Sequence, residues 1–407
     1  MGKVTALRCR DCTTEFPPTV KFVCDQCFGA LDTVYNYDEI RLTPSSLNGR
    51  EKSLWRYFDL LPVKDPDRIV NLSAGFNPLR RCDTLAKELG LKHLYVKDDT
   101  INPTYSFKDR PSSVAVSKAL EFGFKAVGCA STGNLAAALA AHAAKAGLDC
   151  YVFIPSDIEA NKIVQTAVFG AKIVRVNGTY DDVNRLVTQA ADEYGIGIVN
   201  VTLRPYYVEG SKTVAFEVAE QLGWEVPDHV IVPLASGALL CAICKGFEEL
   251  ERVGLIDGTD VKVTGVQPQG CSPIVDAFKQ GRDGISPVEY PDTVAKSLAI
   301  GDPSDGIYTL RNIRKYRGFA EAVSNREIID SVRLLAETEG IFSEPTGGVV
   351  LGALKRLVEA GRISSDERVV CLITGSGLKA PEALTGSLPE PITVEPRLQT
   401  LAPIMKR

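Results

Sequence analysis

The chain has 407 residues, too many for one compact core, so we expect two domains and a small appendage. Its apolar fraction of 45% and charged fraction of 24% are ordinary for a soluble globular protein. A formal net charge of −5 gives no electrostatic reason to expect nucleic acid or a membrane surface as a partner. Residues 1–10 lack a signal-peptide core, and no apolar run approaches the roughly 18 residues of a membrane helix. We therefore expect a cytoplasmic protein.

The first 40 residues contain two Cys-x-x-Cys pairs, Cys9 with Cys12 and Cys24 with Cys27. Each pair aims two thiolates at one point, and two pairs complete a tetrahedral four-sulfur shell for Zn(II). The segment between the pairs has too few apolar residues for a core, so bound metal would supply most of its folding free energy. The sequence predicts a structural zinc ribbon, and the alternative is two redox-active or inert pairs.

The other seven cysteines are scattered among apolar neighbours, and we interpret them as free buried thiols in a reducing compartment. They are Cys82, Cys129, Cys150, Cys241, Cys244, Cys271 and Cys371. Cys241 and Cys244 have the spacing of a metal-binding pair, but they lie in a helix-like run without a second pair. We therefore assign them no metal.

From residue 84 onward the chain alternates between strand and helix patterns, after mixed loop and short helix at 41–80. The predicted strands span 93–97, 125–129, 149–154, 172–176, 197–200, 229–233, 261–266, 317–323 and 368–373. The predicted helices span 84–90, 112–122, 135–146, 159–169, 179–194, 211–222, 239–253, 325–339 and 349–360. This order predicts an α/β fold with two parallel sheets wrapped by helices. The stretch from 267 to about 315 is predicted to be irregular.

Four regions follow from this pattern. We predict a zinc-ribbon-like segment at 1–40, a large α/β domain from 41–99 and 212–390, a small α/β domain at 100–211, and an irregular tail at 391–407. The tail prediction rests on four prolines after residue 388.

The stretch Asn-Pro-Thr-Tyr-Ser-Phe-Lys-Asp-Arg-Pro at 102–111 joins a predicted strand to a predicted helix, with Ser106 as a plausible N-cap. Lys108, held there beside a cleft, could act as an amine nucleophile or anchor an aldehyde cofactor as a Schiff base. For the Phe107-Lys108 pair alone, a solvated lysine near a helix end is the alternative interpretation.

Three further turns follow predicted strands, where ligands bind in open α/β sheets. The small residues at 235–238 open a helix, whose N–H groups and dipole favour an anion such as phosphate. The Ser-Thr-Gly-Asn turn at 131–134 offers donors for a carboxylate, and Thr374 ends the last strand. The alternative interpretations are a plain tight turn at 235–238, an N-capping turn at 131–134 and a strand cap at Thr374. The four segments together are far more specific than any one of them.

With these segments, the chain resembles the fold type II family of pyridoxal-phosphate enzymes, whose fold is that of the tryptophan synthase β chain, and within it the threonine synthases. The resemblance covers about residues 70–385 and rests on the motifs at 102–110, 131–134, 203–213, 296–301, 339–344 and 374–379. Leu135, the segment 344–348 and Ser376 depart from the family pattern. The substrate pocket could therefore differ from that of the family.

The resemblance implies a role for each motif. Lys108 would carry pyridoxal 5′-phosphate as a Schiff base beside Phe107, Asn134 would bond the pyridoxal 3′-hydroxyl, and Thr374 would meet the pyridine nitrogen. Backbone groups would hold the cofactor phosphate, from Ala235, Ser236, Gly237, Ala238 and Leu239. Two hydroxyl residues would bind the substrate α-carboxylate, namely Ser131 and Thr132. For the substrate phosphate we expect Thr202, Arg204 and Lys212, and Arg204 as a purely structural ion-pair residue is the alternative.

The implied reaction converts O-phospho-L-homoserine and water into L-threonine and phosphate by γ-elimination and β-replacement. Three alternatives stay open: a cysteate synthase-like replacement on O-phosphoserine, a threonine or serine dehydratase, and a non-catalytic relative that binds the cofactor. The resemblance also implies a homodimer.

Overall fold

The computed structural model describes residues 4–131, 133–156, 160–178 and 180–405. Its strands, numbered along the chain, are β1 (Val4–Cys9), β2 (Glu15–Phe16), β3 (Leu31–Tyr35), β4 (Leu79–Arg81), β5 (His93–Asp98), β6 (Ala126–Ala130), β7 (Asp149–Pro155), β8 (Lys172–Val176), β9 (Gly197–Ile198), β10 (His229–Pro233), β11 (Lys262–Pro268), β12 (Ala320–Val323) and β13 (Arg368–Ile373).

Helices follow most of these strands, as expected for a sheet built from βα units. The α-helices are α1 (Asp83–Leu89), α2 (Asp109–Glu121), α3 (Asn134–Ala146), α4 (Ala160–Ala167), α5 (Tyr180–Tyr194), α6 (Arg204–Tyr207), α7 (Thr213–Gln221), α8 (Ala238–Arg252), α9 (Pro273–Lys279), α10 (Gly306–Lys315), α11 (Asn325–Glu339), α12 (Pro345–Glu359) and α13 (Ala402–Met405). Among the described helices, none combines the length and the apolar character that crossing a bilayer requires.

The N-terminal segment forms a small antiparallel sheet in the order β2-β1-β3. In β3, the buried residues Leu31, Thr33 and Tyr35 alternate with less buried ones. The face of the strand that carries these three residues is therefore packed against the rest of the protein. Leu7 and Leu31 join the same apolar cluster as α2 and α3. The ribbon therefore packs on the body of the protein.

The largest sheet has six strands in the order β12-β11-β10-β13-β5-β4, all parallel except for the edge strand β4. β10 reads His-Val-Ile-Val-Pro and is buried at every position, because helices cover both faces of a parallel sheet. The last strand in the chain, β13, lies between β10 and β5.

A second sheet has four parallel strands in the order β8-β7-β6-β9. The alanine-rich helix α3 packs on it with a nearly continuous buried face, since small side chains allow close approach. These strands lie within the predicted small domain, and those of the six-stranded sheet lie within the predicted large domain. The domain bounds themselves remain a prediction.

Some expected elements differ from those observed. The stretch predicted to be irregular contains α9 and α10, and α9 has a proline in its first turn. The lysine helix α2 begins at Asp109, with Lys108 rather than Ser106 at the N-cap position. The Ser106 hydroxyl is instead buried without a hydrogen bond among the described residues.

Candidate active site

The loop that carries Lys108 is fastened to the carboxyl end of β13. Phe107 N–H donates to the Thr374 carbonyl at 2.8 Å, and Ser376 N–H donates to the Tyr105 carbonyl at 2.9 Å. Ser106 and Gly375 form an isolated antiparallel bridge between the two segments. Tyr105 needs a left-handed backbone, with φ of 64°, to turn the loop into α2. The position of Lys108 is therefore set by the end of the central sheet.

The Lys108 side chain is half-buried, and its amine lies 4.6 Å from the centre of the Phe107 ring and 5.8 Å from that of Tyr207. Among the described residues, the amine has no hydrogen-bond or ion-pair partner. Burial lowers the pKa of Lys108 from 10.5 to about 8, although the Glu344 carboxylate opposes this shift. A lysine with a pKa near neutrality is a usable nucleophile and proton carrier.

The turn at 234–238 leads from β10 into α8 and exposes unused backbone donors. Within the described chain, the N–H groups of Ser236, Gly237 and Leu239 donate to no protein acceptor. They lie at the N-terminus of a helix of 15 residues, where the dipole favours an anion. These unpaired donors fit the phosphate of pyridoxal phosphate.

Gly237 in this turn has a left-handed backbone with φ of 93°. A Cβ atom placed there would lie 2.0 Å from Oγ1 of Thr309 in α10. Because both the backbone and the space demand glycine, the turn can hold its donors in this arrangement only with glycine at 237.

Asn134 is the first residue of α3, and its amide Nδ2 donates to Glu344 Oε1 at 3.1 Å. Glu344 also accepts from Ser297 Oγ at 3.2 Å, and its own N–H donates to the Gly375 carbonyl at 3.0 Å. Burial raises the pKa of this carboxyl group. Glu344 stands in the family motif at 339–344, but the sequence analysis assigns it no role. An acidic residue directly before the first-turn proline of a helix was the available signal.

The other predicted cofactor and carboxylate residues are placed as follows. Thr374 directly follows β13 and is 5% exposed, and within the described residues its hydroxyl has no hydrogen-bond partner. Ser131 follows β6, and its hydroxyl accepts from Gly133 N–H at 3.4 Å. The prediction for Thr132 lies outside the described residues.

The three residues predicted for the substrate phosphate have different surroundings. Arg204 opens α6, and its Nη2 bonds to Asp305 Oδ2, while its Nε and Nη1 have no acceptor among the described residues. The Thr202 hydroxyl is used locally, accepting from Ile198 N–H at 2.9 Å. Lys212 is fully buried, with its amine paired to Glu249 at 2.7 Å and to Glu209. Of the three, Arg204 is the residue with two side-chain nitrogens that have no acceptor in the described part of the chain, and these can serve a phosphate.

Asp305 is a residue that sequence reasoning missed, since it lies in the stretch predicted to be irregular. Its side chain is 1% exposed, and its backbone N–H donates to the Ser236 carbonyl at 2.9 Å. It therefore connects Arg204 to the turn that opens α8. The surrounding sequence carries no helix or strand signal that would have identified it.

The four ribbon cysteines converge, with all their Sγ atoms within 4.8 Å of one another. The backbone N–H of Asp11 donates to the Cys9 sulfur at 3.4 Å, and the backbone N–H of Gln26 donates to the Cys24 sulfur at 3.4 Å. Thiolates held in such turns are typical ligands of a tetrahedral metal ion. The donor set therefore fits a metal.

One cavity formed by the described residues lies away from this site. It measures about 380 Å³ and is lined by residues near the amino ends of β10 and β13, including Trp224, Asp228, Asp257 and Arg368. Ligands of open α/β sheets bind at the opposite, carboxyl ends of the strands. A second cavity, of about 10 Å³, is lined by Phe107, Leu239 and Thr374 at the carboxyl ends of the strands.

Comparison with known proteins gives this site a family. Residues 70–375 match the model of the family described as pyridoxal-phosphate dependent enzyme. The threonine synthase of Methanocaldococcus jannaschii is 43% identical over 402 residues, covering 98% of this chain and 99% of the relative. That of Methanosarcina acetivorans is 40% identical over 398 residues, covering 97% of each chain. A threonine synthase from a Bacillus species is 37% identical, over 82% of this chain and 92% of the relative.

Solved structures show the same fold at lower sequence identity. The processed form of threonine deaminase isoform 2 from Solanum lycopersicum is 20% identical with a TM-score of 0.64, over 76% of this chain and 81% of the other. Maize serine racemase is 21% identical with a TM-score of 0.64, over 76% and 91%, respectively. This chain belongs to the threonine synthase family of pyridoxal-phosphate-dependent enzymes.

Proposed function

We propose that this chain converts O-phospho-L-homoserine and water into L-threonine and phosphate, with pyridoxal phosphate as its cofactor. The observation that carries the proposal is the placement of Lys108. Its half-buried amine, with a pKa near 8, lies on a loop fastened to the carboxyl end of β13, and the unpaired N–H groups before α8 follow the neighbouring strand β10. An amine and an anion site at one edge of a parallel sheet suit a phosphorylated aldehyde cofactor.

The residues that would hold the cofactor come from four segments. Lys108 would bind its aldehyde carbon. Its phosphate would be held by backbone groups of Ala235, Ser236, Gly237, Ala238 and Leu239. Asn134 would bind the ring hydroxyl and Thr374 the ring nitrogen, and Phe107 packs beside the lysine. When bound, the cofactor supplies an electron sink for negative charge that develops on the substrate carbons.

Lys108 has a second role as the proton carrier. Its amine would take a proton from the substrate Cα and would return protons to the substrate carbons. The lowered pKa allows this, because a group that titrates near the working pH can both accept and donate. The Phe107 and Tyr207 rings beside the amine limit its contact with water.

The substrate is held at its two charged ends. Ser131, which lies shortly before α3, binds the α-carboxylate. The same role is proposed for Thr132, which lies outside the described residues. Arg204 binds the phosphate through the donors that Asp305 leaves free, since a guanidinium can grip phosphate with two parallel hydrogen bonds. We leave Thr202 and Lys212 out of this phosphate site because each is engaged by protein partners.

The decisive experiment measures phosphate, keto acid and amino-acid products with O-phospho-L-homoserine, O-phosphoserine, threonine and serine as separate substrates. With O-phospho-L-homoserine, we expect equal amounts of L-threonine and phosphate. Lys108→Ala should abolish turnover and the visible absorbance of the bound cofactor, whereas Lys87→Ala, on the exposed side of α1, should keep both. Turnover that survives in Lys108→Ala would remove the lysine from its role.

The same assay separates the alternatives. Cysteate formed from O-phosphoserine and sulfite, without turnover of phosphohomoserine, would identify a cysteate synthase. Release of a keto acid from threonine or serine would identify a dehydratase. Bound cofactor without turnover of any substrate would identify a binding protein.

We propose Zn(II) as the metal of the four-cysteine site, since four thiolates form a closed tetrahedral shell without an open position for catalysis. Elemental analysis of the purified protein should find about one zinc per chain. Cys24→Ser should lower that content, and Cys271→Ser, a cysteine outside the ribbon, should not. Equal zinc in the wild type and Cys24→Ser would contradict the assignment.

The family relationship supports two further proposals, that the enzyme is a homodimer and that it acts in the cytoplasm. Sedimentation velocity of the cofactor-loaded protein should give about twice the chain mass of 44.0 kDa. A single species at the chain mass would contradict the dimer.

A further inference from the structure

One side chain of the ribbon leaves it and reaches the body of the enzyme. Arg10 lies between the metal-site cysteines Cys9 and Cys12, and its side chain is only 13% exposed. Its Nη2 bonds to Asp32 of the ribbon at 2.7 Å, and its Nη1 bonds to Asp305 Oδ1 at 3.0 Å. The guanidinium therefore connects the metal-binding turn to the residue that precedes α10.

Asp305 is the point at which several parts of the site meet. Its Oδ1 accepts from Arg10, its Oδ2 accepts from Arg204, and its backbone N–H donates to Ser236. A carboxylate that is 1% exposed and shared by two guanidinium groups has few alternative arrangements, because any rotation leaves a buried charge without its partner.

Neighbouring contacts fix the ribbon on this side of the enzyme. The Tyr308 hydroxyl donates to Asp11 Oδ2 at 2.6 Å, and the Arg10 guanidinium lies 5.0 Å from the centre of the Tyr308 ring. Arg311 lies 3.5 Å from Asp11 in a more exposed pair. Arg10 and Asp11, which lie between Cys9 and Cys12, thus contact the first turns of α10, and this helix begins directly after Asp305.

The charges explain why Arg10 matters for a phosphate ester. Arg204 gives one donor to Asp305 and keeps Nε and Nη1 free within the described chain. Without Arg10, Asp305 could turn both oxygens to Arg204 and occupy its donors, and the charge of Arg204 would then be neutralised by Asp305 before a dianion arrives. Both effects weaken phosphate binding, since the attraction between opposite charges is strong where water is excluded.

We propose that Arg10 is a positioning residue for the substrate phosphate, acting through Asp305 on Arg204. The metal ribbon is then part of the apparatus that recognises a phosphate monoester, as well as a structural module. This inference rests on the proposed role of Arg204 in the substrate site.

The test compares Arg10→Ala with Arg8→Ala in the cofactor-loaded enzyme. Arg8 is a matched control, because its side chain is 48% exposed and pairs with Glu15 inside the ribbon. We expect Arg10→Ala to raise KM for phosphohomoserine by about tenfold, the scale of one lost charge-assisted contact, with kcat within about twofold of the wild type. Inorganic phosphate should inhibit this variant correspondingly more weakly, and Arg8→Ala should match the wild type in both measurements.

Variants at Arg204 separate this inference from the proposed function. If Arg204→Ala leaves KM unchanged, the substrate-phosphate assignment of Arg204 fails, and the inference fails with it. If Arg204→Ala raises KM but Arg10→Ala does not, only the inference fails. If both raise KM, the double variant should show no further increase from Arg10→Ala, because the two residues act along one path.

Zinc content and the thermal unfolding midpoint show whether the ribbon of each variant is intact. Should Arg10→Ala lose its metal, Arg10→Lys carries the test. A lysine keeps the charge but makes a single point contact, so its KM should lie between those of the wild type and Arg204→Ala. Wild-type KM and phosphate inhibition in an Arg10→Lys or Arg10→Ala protein with full zinc content would overturn the inference.

Discussion

At the scale of single residues, the active site depends on a balance between burial and one carboxylate. Burial lowers the pKa of the Lys108 amine, and Glu344 partly offsets this effect. The same carboxylate receives the Asn134 amide and the Ser297 hydroxyl. Glu344 thus links the charge of the lysine to the position of the residue proposed to face the cofactor ring.

Glu344→Gln should lower the pKa of Lys108 further below its value of about 8, because the substitution removes a nearby negative charge while preserving the shape of the side chain. Without the carboxylate, the neutral amine of Lys108 becomes the main form at a lower pH. We expect cofactor-free Glu344→Gln to bind added pyridoxal phosphate with a pH midpoint shifted to lower pH. The absorbance of the bound cofactor, recorded between pH 6 and pH 9, measures this midpoint.

Glu359→Gln is the control, since Glu359 lies exposed at the other end of the same helix. Its pH midpoint should equal that of the wild type. A midpoint for Glu344→Gln that also equals the wild-type value would show that Glu344 does not influence the lysine.

Residue types reveal some of these roles and hide others. Lys108 could be found from the sequence, because its motif joins a strand to a helix start. The influence of Glu344 could not, since it depends on a contact between residues 134 and 344, which are 210 positions apart. Arg10 was obscured by its own neighbours, because the cysteines on both sides indicate a metal site and give no hint of Asp305.

At the scale of elements, the start of α8 combines the proposed phosphate site with a glycine that no other residue can replace without strain. Gly237 has φ of 93°, and its missing Cβ makes room for Thr309 of α10. The Thr309 hydroxyl donates to the Asp305 carbonyl at 2.9 Å. The turn and the first residues of α10 therefore support one another.

Gly237→Ala should destabilise the protein and weaken cofactor retention. The left-handed backbone costs about 1–2 kcal/mol for an alanine, and the contact with Thr309 adds to this cost because one of the two elements must move. Gly254→Ala is a matched control, since Gly254 has φ of 75° but no atom within 4 Å of the added Cβ. Chemical denaturation and the bound cofactor fraction after dialysis measure both variants.

Equal losses in the two glycine variants would show that only the backbone conformation matters at 237. A larger loss of stability together with a loss of cofactor in Gly237→Ala is the expected outcome. Normal cofactor retention in Gly237→Ala would argue against the proposed phosphate role of this turn.

Elements with a strong local sequence signal were predicted well, and those without such a signal were not. The buried run at 229–233 and the glycine that ends α11 define their elements from local sequence. Helix α10 begins at a glycine after Asp305, and its N-cap side chain makes no capping bond. Such a helix is stabilised by packing, with Leu310 and Ile313 in the core, and packing is not visible in a local pattern.

At the scale of the whole molecule, a buried cluster of ion pairs connects α2, which follows Lys108, with α7 and with β5 of the large sheet. Arg110 of α2 bonds to Asp99 at 2.7 Å and to Glu217 of α7 at 2.8 Å. Lys97 of β5 pairs with the same glutamate at 2.6 Å. Glu217 thus joins the helix that follows Lys108 to the large sheet.

Glu217→Gln should cost about 3–5 kcal/mol of stability, since it takes from the buried Lys97 its ion-pair partner among the described residues and leaves the buried Arg110 with Asp99 alone. Despite the opposing effect of burial, Arg110 and Lys97 lower the pKa of Glu217 from 4.5 to about 2. The folded state therefore binds this proton less readily than the unfolded state does. The resulting stability, roughly 3 kcal/mol, is present above pH 4.5 and is lost as the pH falls toward 2.

Denaturant titrations between pH 7 and pH 3 measure both effects. The variant should lose less stability than the wild type on acidification, because it lacks one of the groups whose protonation opposes folding. Glu225→Gln, at an exposed pair with Arg368, should resemble the wild type throughout. Parallel pH curves for the wild type and Glu217→Gln would contradict the assigned ionisation.

The place of β13 has a consequence for how the protein is made. This strand emerges late from the ribosome, yet it lies between β10 and β5, which are synthesised much earlier. Until β13 arrives, the nascent large domain consists of two unjoined strand groups with open edges, β4 with β5 and β10 with β11 and β12. Such edges invite wrong pairing, so a chain that stalls before residue 368 is expected to aggregate or to be captured by chaperones.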